Sequence, residues 1–118
     1  MTLPSNAVLR TKAALSRHGF GVLTEIDLKA TMKKIDADVD DYLILGSCNP
    51  HMAYEAMTLE PKVGAMLPCN VIVRSLGAGD VMVSAVDPVE SMRAIDNDSL
   101  AKLAESVRSK LSEVIAEV

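Results

Sequence analysis

The sequence of 118 residues predicts an α+β fold, a four-stranded mixed, largely antiparallel sheet with helices packed on it. Three observations lead there. Segments of period-two alternation and compact apolar runs are interleaved with segments of helical period. Two strand-like stretches flank Gly77-Ala78-Gly79-Asp80, a hairpin signal. The C-terminal stretch carries one continuous apolar stripe at helical spacing. The expected order is α-β-α-β-α-β-β-α. Segregated helices and hairpins place it in the α+β class. No repeat, low-complexity run or linker divides residues 1–118, which read as one domain.

Each element has a local reason. Ser5 caps a first helix that runs to His18 and stops at Gly19, a residue type that tolerates a left-handed C-terminal position. "FGVLTEI" alternates Phe20, Val22 and Ile26 with Leu23 and Glu25, a strand's period. Asp27 caps a short second helix with Leu28, Met32 and Ile35 on one side. "YLILGS" is a compact apolar run and reads as a buried strand. Asn49 caps a third helix with Pro50 at its first position, where a missing N–H does no harm. That helix ends before Pro61, because the residue ahead of a proline avoids helical geometry. "PKVGAM" adds a turn before Pro68, "NVIVRSL" and "VMVSAVD" form the hairpin, and a loop begins at Pro88. From about Ser99 to Val118, Leu100, Ala104, Val107, Leu111, Val114 and Val118 follow steps of four and three, widened by Leu103 and Ile115. Lys102, Glu105, Arg108, Ser109 and Ser112 form the wet face. The stripe docks on its own sheet or on a second chain. Open sheet edges beside it favour a homodimer.

Composition narrows the class. Hydrophobic residues make up 49% of the chain, but the aromatics are only Phe20, Tyr42 and Tyr54. The core is therefore aliphatic, with methionine filling gaps. A net charge of −4 with scattered Lys and Arg argues against nucleic acid as a partner. "MTLPSNAVLRTKAAL" lacks the apolar centre of a signal peptide, and no apolar run approaches the length of a membrane span. Two cysteines without a secretory signal suggest free thiols in a reducing compartment. The expectation is a cytoplasmic protein with neither membrane nor nucleic acid as partner.

Little else looks chemical except "LGSCNPHMAYEAM", where a strand passes at once into a helix, and its echo at Cys69-Asn70. Cys48 precedes the cap of the third helix, where unpaired N–H groups and the dipole lower the cost of a thiolate. A small buried hydrophobe closing a tight corner is the plainer reading. If the flanking strands ran parallel, Cys48 and Cys69 would lie about 15 Å apart, beyond disulfide reach. If the stretch from Leu59 to Pro68 returned the chain, the strands would be antiparallel and the thiols neighbours. The sequence leaves both paths open.

Other motifs fall away. Cys48-Asn49-Pro50-His51 has the spacing of a metal corner, but zinc wants four ligands, and Cys69, His18 and scattered acids are poor candidates for the rest. Asp36, Asp38 and Asp40 alternate, yet the EF-hand's required glycine and glutamate positions hold Asp41 and Ser47. Gly77 to Asp80 joins two strands, so it is no phosphate loop. The seven methionines lie largely in apolar segments and read as filler rather than copper ligands. No metal site is assigned, and no Ser-His-Asp order or carboxylate pair stands out.

"GFGVLTEIDLKATMKKI", "YLILGSCNPHMAYEAM", "EPKVGAMLPCNVIV" and "VSAVDPVESM" together resemble the bacterial and archaeal domain-of-unknown-function family 302. The resemblance runs from about Arg10 to Ile95, leaving the terminal helix from about 99 to 118 outside it. It implies a small α+β domain, often dimeric, without established activity, and its pattern falls on Cys48, Asn49, Pro50, Pro68, Cys69 and Asn70. His51 departs from that pattern, which weakens the metal-corner reading further.

The resulting expectation is a dimeric module that binds a small molecule or another protein in a pocket near Cys48, Asn49, Cys69 and Asn70, its ligand and cofactors unassigned. A competing reading is a thiol-dependent redox or sulfur-transfer protein with Cys48 as nucleophile and Cys69 as resolving thiol. A third is a purely structural subunit. Whether the protein is an enzyme is left open.

Overall fold

The computed structural model describes residues 5–118, and its elements follow the patterning closely. Helix α1 spans Ser5–Arg17, strand β1 Gly21–Asp27, α2 Leu28–Lys33, β2 Tyr42–Cys48, α3 Pro50–Leu59, β3 Cys69–Gly77, β4 Asp80–Ala85, α4 Pro88–Ser91 and α5 Asp98–Glu117. A 3₁₀ turn covers Pro61–Met66. The strands form one sheet in chain order, β1-β2-β3-β4, and every pairing is antiparallel. The α+β class holds, and the meander needs no parallel crossover.

The caps act where their residue types require. Asp27 accepts from the Ala30 amide at 3.0 Å, and Asn49 from the Met52 amide at 3.2 Å with Pro50 opening α3. At the end of α1, Gly19 takes φ +83°. The Phe20 amide reaches back to the Leu15 carbonyl at 2.9 Å and the Gly19 amide to Ser16 at 3.1 Å. This is a Schellman ending, and it presses Phe20 and Leu15 together in the core. The β3–β4 turn places Ala78 and Gly79 at positive φ, the backbone a tight two-residue hairpin demands. The side chain of Ser5, expected as the cap of α1, lies outside the described residues.

Three local expectations are corrected. The register of β1 against β2 slips between Val22 and Thr24. This bulge puts Val22 and Ile26 on opposite faces and turns Glu25 toward Lys12 of α1, with which it forms an ion pair. Helix α2 ends at Lys33, so Ile35 is 73% exposed instead of continuing the apolar side. The loop expected at Pro88 begins with the short helix α4, capped by Asp87 through the Val89 amide at 3.0 Å.

Two apolar clusters hold the fold. One joins Ala14, Leu15, Phe20, Leu45, Val71 and Val73 to Val107, Leu111 and Val114 of α5. The other joins Ala56, Val63 and Met92 to Leu100 and Ala104 of the same helix. Helix α5 therefore crosses both clusters with the stripe its period predicts, and that stripe is covered by its own chain. Buried aliphatic side chains of this size contribute about 1.5–3 kcal/mol each before entropy is set against them.

Candidate functional site

The turn at Pro61–Met66 brings the chain back, so β3 starts at the end of the sheet where β2 finishes. Of the two paths open to the sequence, the antiparallel one is realised. Ser47 pairs with Cys69, and the Ser47 hydroxyl donates to the Cys69 carbonyl at 2.9 Å. Cys48 follows at the last position of β2, so the two cysteines stand at one end of the sheet.

Helix α3 starts immediately beyond. With Asn49 as cap, Cys48 and Ala53 occupy the positions that commonly close together over a helix start. Both line a small cavity at the seam between the two apolar clusters. The floor is formed by Phe20, Ser47, Cys69, Met92, Ala104 and Val107, and the half-buried rim includes Cys48, Asn49, Met52, Ala53, Leu67 and Leu103. Its interior volume is ≈ 30 Å³, and its lining is almost wholly apolar. Gly19 closes against the rim: a Cβ there would stand 3.0 Å from Asn49 Nδ2. The end of α1, the start of α3 and the ends of β2 and β3 thus converge.

Both thiols are free. Burial pushes the Cys48 thiol above its usual range. Burial pushes Cys69 up as well, and the neighbouring Cys48 adds to it. Desolvation disfavours the charged form, so both groups are neutral thiols at neutral pH. Neither thiol is shifted toward the thiolate that an activated nucleophile uses.

The remaining candidates divide. Asn49 borders the cavity, but its side-chain oxygen is engaged by the Met52 amide. Asn70 is exposed and lies on the sheet face opposite Cys69, because successive residues of β3 alternate. His51 is exposed and does not line the cavity. Among the described residues no three His, Cys, Asp or Glu side chains are grouped to hold a metal. Sequence reasoning missed Phe20, Met52, Met92 and the α5 residues Leu103, Ala104 and Val107 as parts of one wall. Their available signal was helical spacing: Met52, Ala53 and Ala56 share one side of α3. A wider groove of ≈ 500 Å³ between β4 and α5 contains Arg108, but its guanidinium is turned to Asp87 at 3.3 Å.

Comparison with known proteins bears on the fold. The family model described as "Domain of unknown function DUF302" matches residues 2–118. No curated protein matches the chain. The crystal structure of an uncharacterized conserved DUF302 protein from Bacillus stearothermophilus superposes with a TM-score of 0.88 at 22% identity, covering 96% of this chain and 88% of that one. At that identity the likeness shows the shared fold.

Proposed function

The chain belongs to the DUF302 family, a fold without an assigned activity, and we propose that it is a binding module whose ligand site is the cavity between Cys48 and Cys69. The carrying observation is that four elements converge on an apolar recess with two neutral thiols in its wall. Small-ligand sites are usually apolar recesses with a few convergent polar groups, and the ≈ 30 Å³ here admits only the smallest of ligands. Neutral, shielded thiols suit recognition better than nucleophilic attack, which ranks the thiol-enzyme reading second.

A panel of small apolar and amphipathic fragments, read by thermal shift and native mass spectrometry, tests this. Fragments should stabilise the native protein by mass action. Ala104→Val, which fills the cavity from α5, should remain folded and lose that response. If no fragment stabilises the protein, or the hits bind Ala104→Val equally well, the cavity is only a packing defect.

The outer face of the sheet supports homodimerisation of this module. Tyr42, Ile44 and Ile72 lie there beside exposed Ile26, Leu76 and Met82, and none of them belongs to either core cluster. Arg74 is the one charge in its central rows, contacting Met82 Sδ at 3.4 Å. A nearly uncharged apolar patch matches a second copy of itself, as a two-fold interface requires. Light scattering should give a dimer mass, and Ile72→Lys should give a folded monomer. A monomer at all concentrations would sink this reading.

A further inference from the structure

We propose that the cavity binds a single soft monovalent metal ion, copper(I), through sulfur. This rests on the reading of the cavity as a ligand site and names the ligand's class. Four sulfur-bearing side chains from four places in the chain line this one recess: Cys48 from the end of β2, Cys69 from the start of β3, Met52 from the first turn of α3, and Met92 just past α4. Methionine as filler explains Met52 or Met92 alone. It does not explain why both border the same recess as the only two cysteines of the sequence.

The chemistry of the lining selects the ion. No carboxylate and no imidazole borders the cavity, so hard cations lack their oxygen donors, and zinc finds only two of its customary four ligands, the cysteines. The oxygen donors Ser47 and Asn49 already have partners within the fold. Thiol and thioether sulfur remain, and these soft donors favour copper(I). The enclosed volume of ≈ 30 Å³ is filled by one ion. Each coordinating thiol releases its proton to water and binds as thiolate, a thioether coordinates as a neutral donor, and with both thiolates bound the complex carries a single negative charge spread over its sulfurs. No electron is transferred, and copper stays copper(I).

Reduced protein, held anaerobically, would be titrated with copper(I) against a chromogenic chelator. The protein should withhold one equivalent and melt at a higher temperature when loaded. Cys48→Ala and Cys69→Ala should each weaken retention by at least about tenfold. Met52→Leu/Met92→Leu should weaken it while leaving the metal-free melting temperature close to that of the parent, a split that a packing role would not produce. Complete loss of copper to the chelator, or retention by Cys48→Ala/Cys69→Ala equal to the parent, overturns the inference. If fragments stabilise the protein but copper is not retained, the binding-module reading stands and the metal assignment fails. If neither binds, both fail.

Discussion

Gly46 offers the sharpest test of how the sheet is packed beside the site. It is buried in β2, with Thr24 of β1 as one partner and Asn70 of β3 as the other. A Cβ at this position would overlap Thr24 Oγ1 and approach Pro68 Cγ to 2.9 Å. Thr24 can rotate its hydroxyl away, but the Pro68 ring is tied to the backbone that leads into Cys69. Relief therefore requires β2 and β3 to move apart. Overpacking of this kind costs about 1–3 kcal/mol. The φ of Gly46 is not positive, so alanine also restricts the unfolded chain, which returns about 0.4–1 kcal/mol. Taken at their midpoints, the two effects leave Gly46→Ala a net loss of about 1.3 kcal/mol. At a urea m-value of about 1.5 kcal/mol/M, the midpoint falls by roughly 0.9 M. Thr24→Ala in the same background should recover part of the loss, the remainder belonging to Pro68. Urea unfolding followed by circular dichroism measures both. A Gly46→Ala protein as stable as the parent would refute the close approach.

Further outcomes follow from other parts of the fold. Leu111→Ala empties a site only 2% exposed and should cost about 2–5 kcal/mol. Arg108→Ala removes an exposed pair with Asp87 and should cost no more than about 1 kcal/mol; denaturant melts of the two variants give the contrast. The thiols should alkylate slowly at neutral pH and faster only above the ordinary thiol range, Cys48 ahead of the more buried Cys69. Because burial raises both, the unfolded chain loses these protons first. Stability should be full below about pH 8.5 and decline as pH rises beyond it. Urea melts from neutral to alkaline pH check this, and Cys48→Ala/Cys69→Ala should flatten the decline. Ala78 sits at φ +54° in the hairpin turn, so Ala78→Gly should raise stability by up to about 1 kcal/mol, measured as a higher melting temperature.

The elements that sequence patterning revealed are those whose cause is local. Asn49 and Pro50 announce the start of α3 by their own chemistry, and Leu100 to Val114 repeat often enough for the period of α5 to stand out. The bulge in β1 escaped because alternation assumes an unbroken register, and one extra residue at Leu23 reverses every later side chain. Helix α4 is four residues long, too short for a period to show. The two Cys-Asn pairs look equivalent as text and differ in space. After Cys48 the chain leaves the strand, so Asn49 folds over a helix start, whereas after Cys69 it continues as strand and sends Asn70 to the opposite face. The proximity of Cys48 to Cys69 depends on the path from Leu59 to Pro68, and no single residue there dictates it. The same holds for Met92, which reaches the cavity through the packing of α4 on α5.

The methionines provide the most direct measurement of whether this cavity is a binding site. With methyl-labelled methionine, Met52 and Met92 report from the cavity wall, while Met57, Met66 and Met82 report from exposed positions elsewhere. Titrated with a fragment that stabilises the protein, or with copper(I), the spectrum should show the Met52 and Met92 methyl resonances moving together and the three exposed ones staying in place. Shifts confined to Met57, Met66 or Met82, with Met52 and Met92 unmoved, would contradict the assignment of the site.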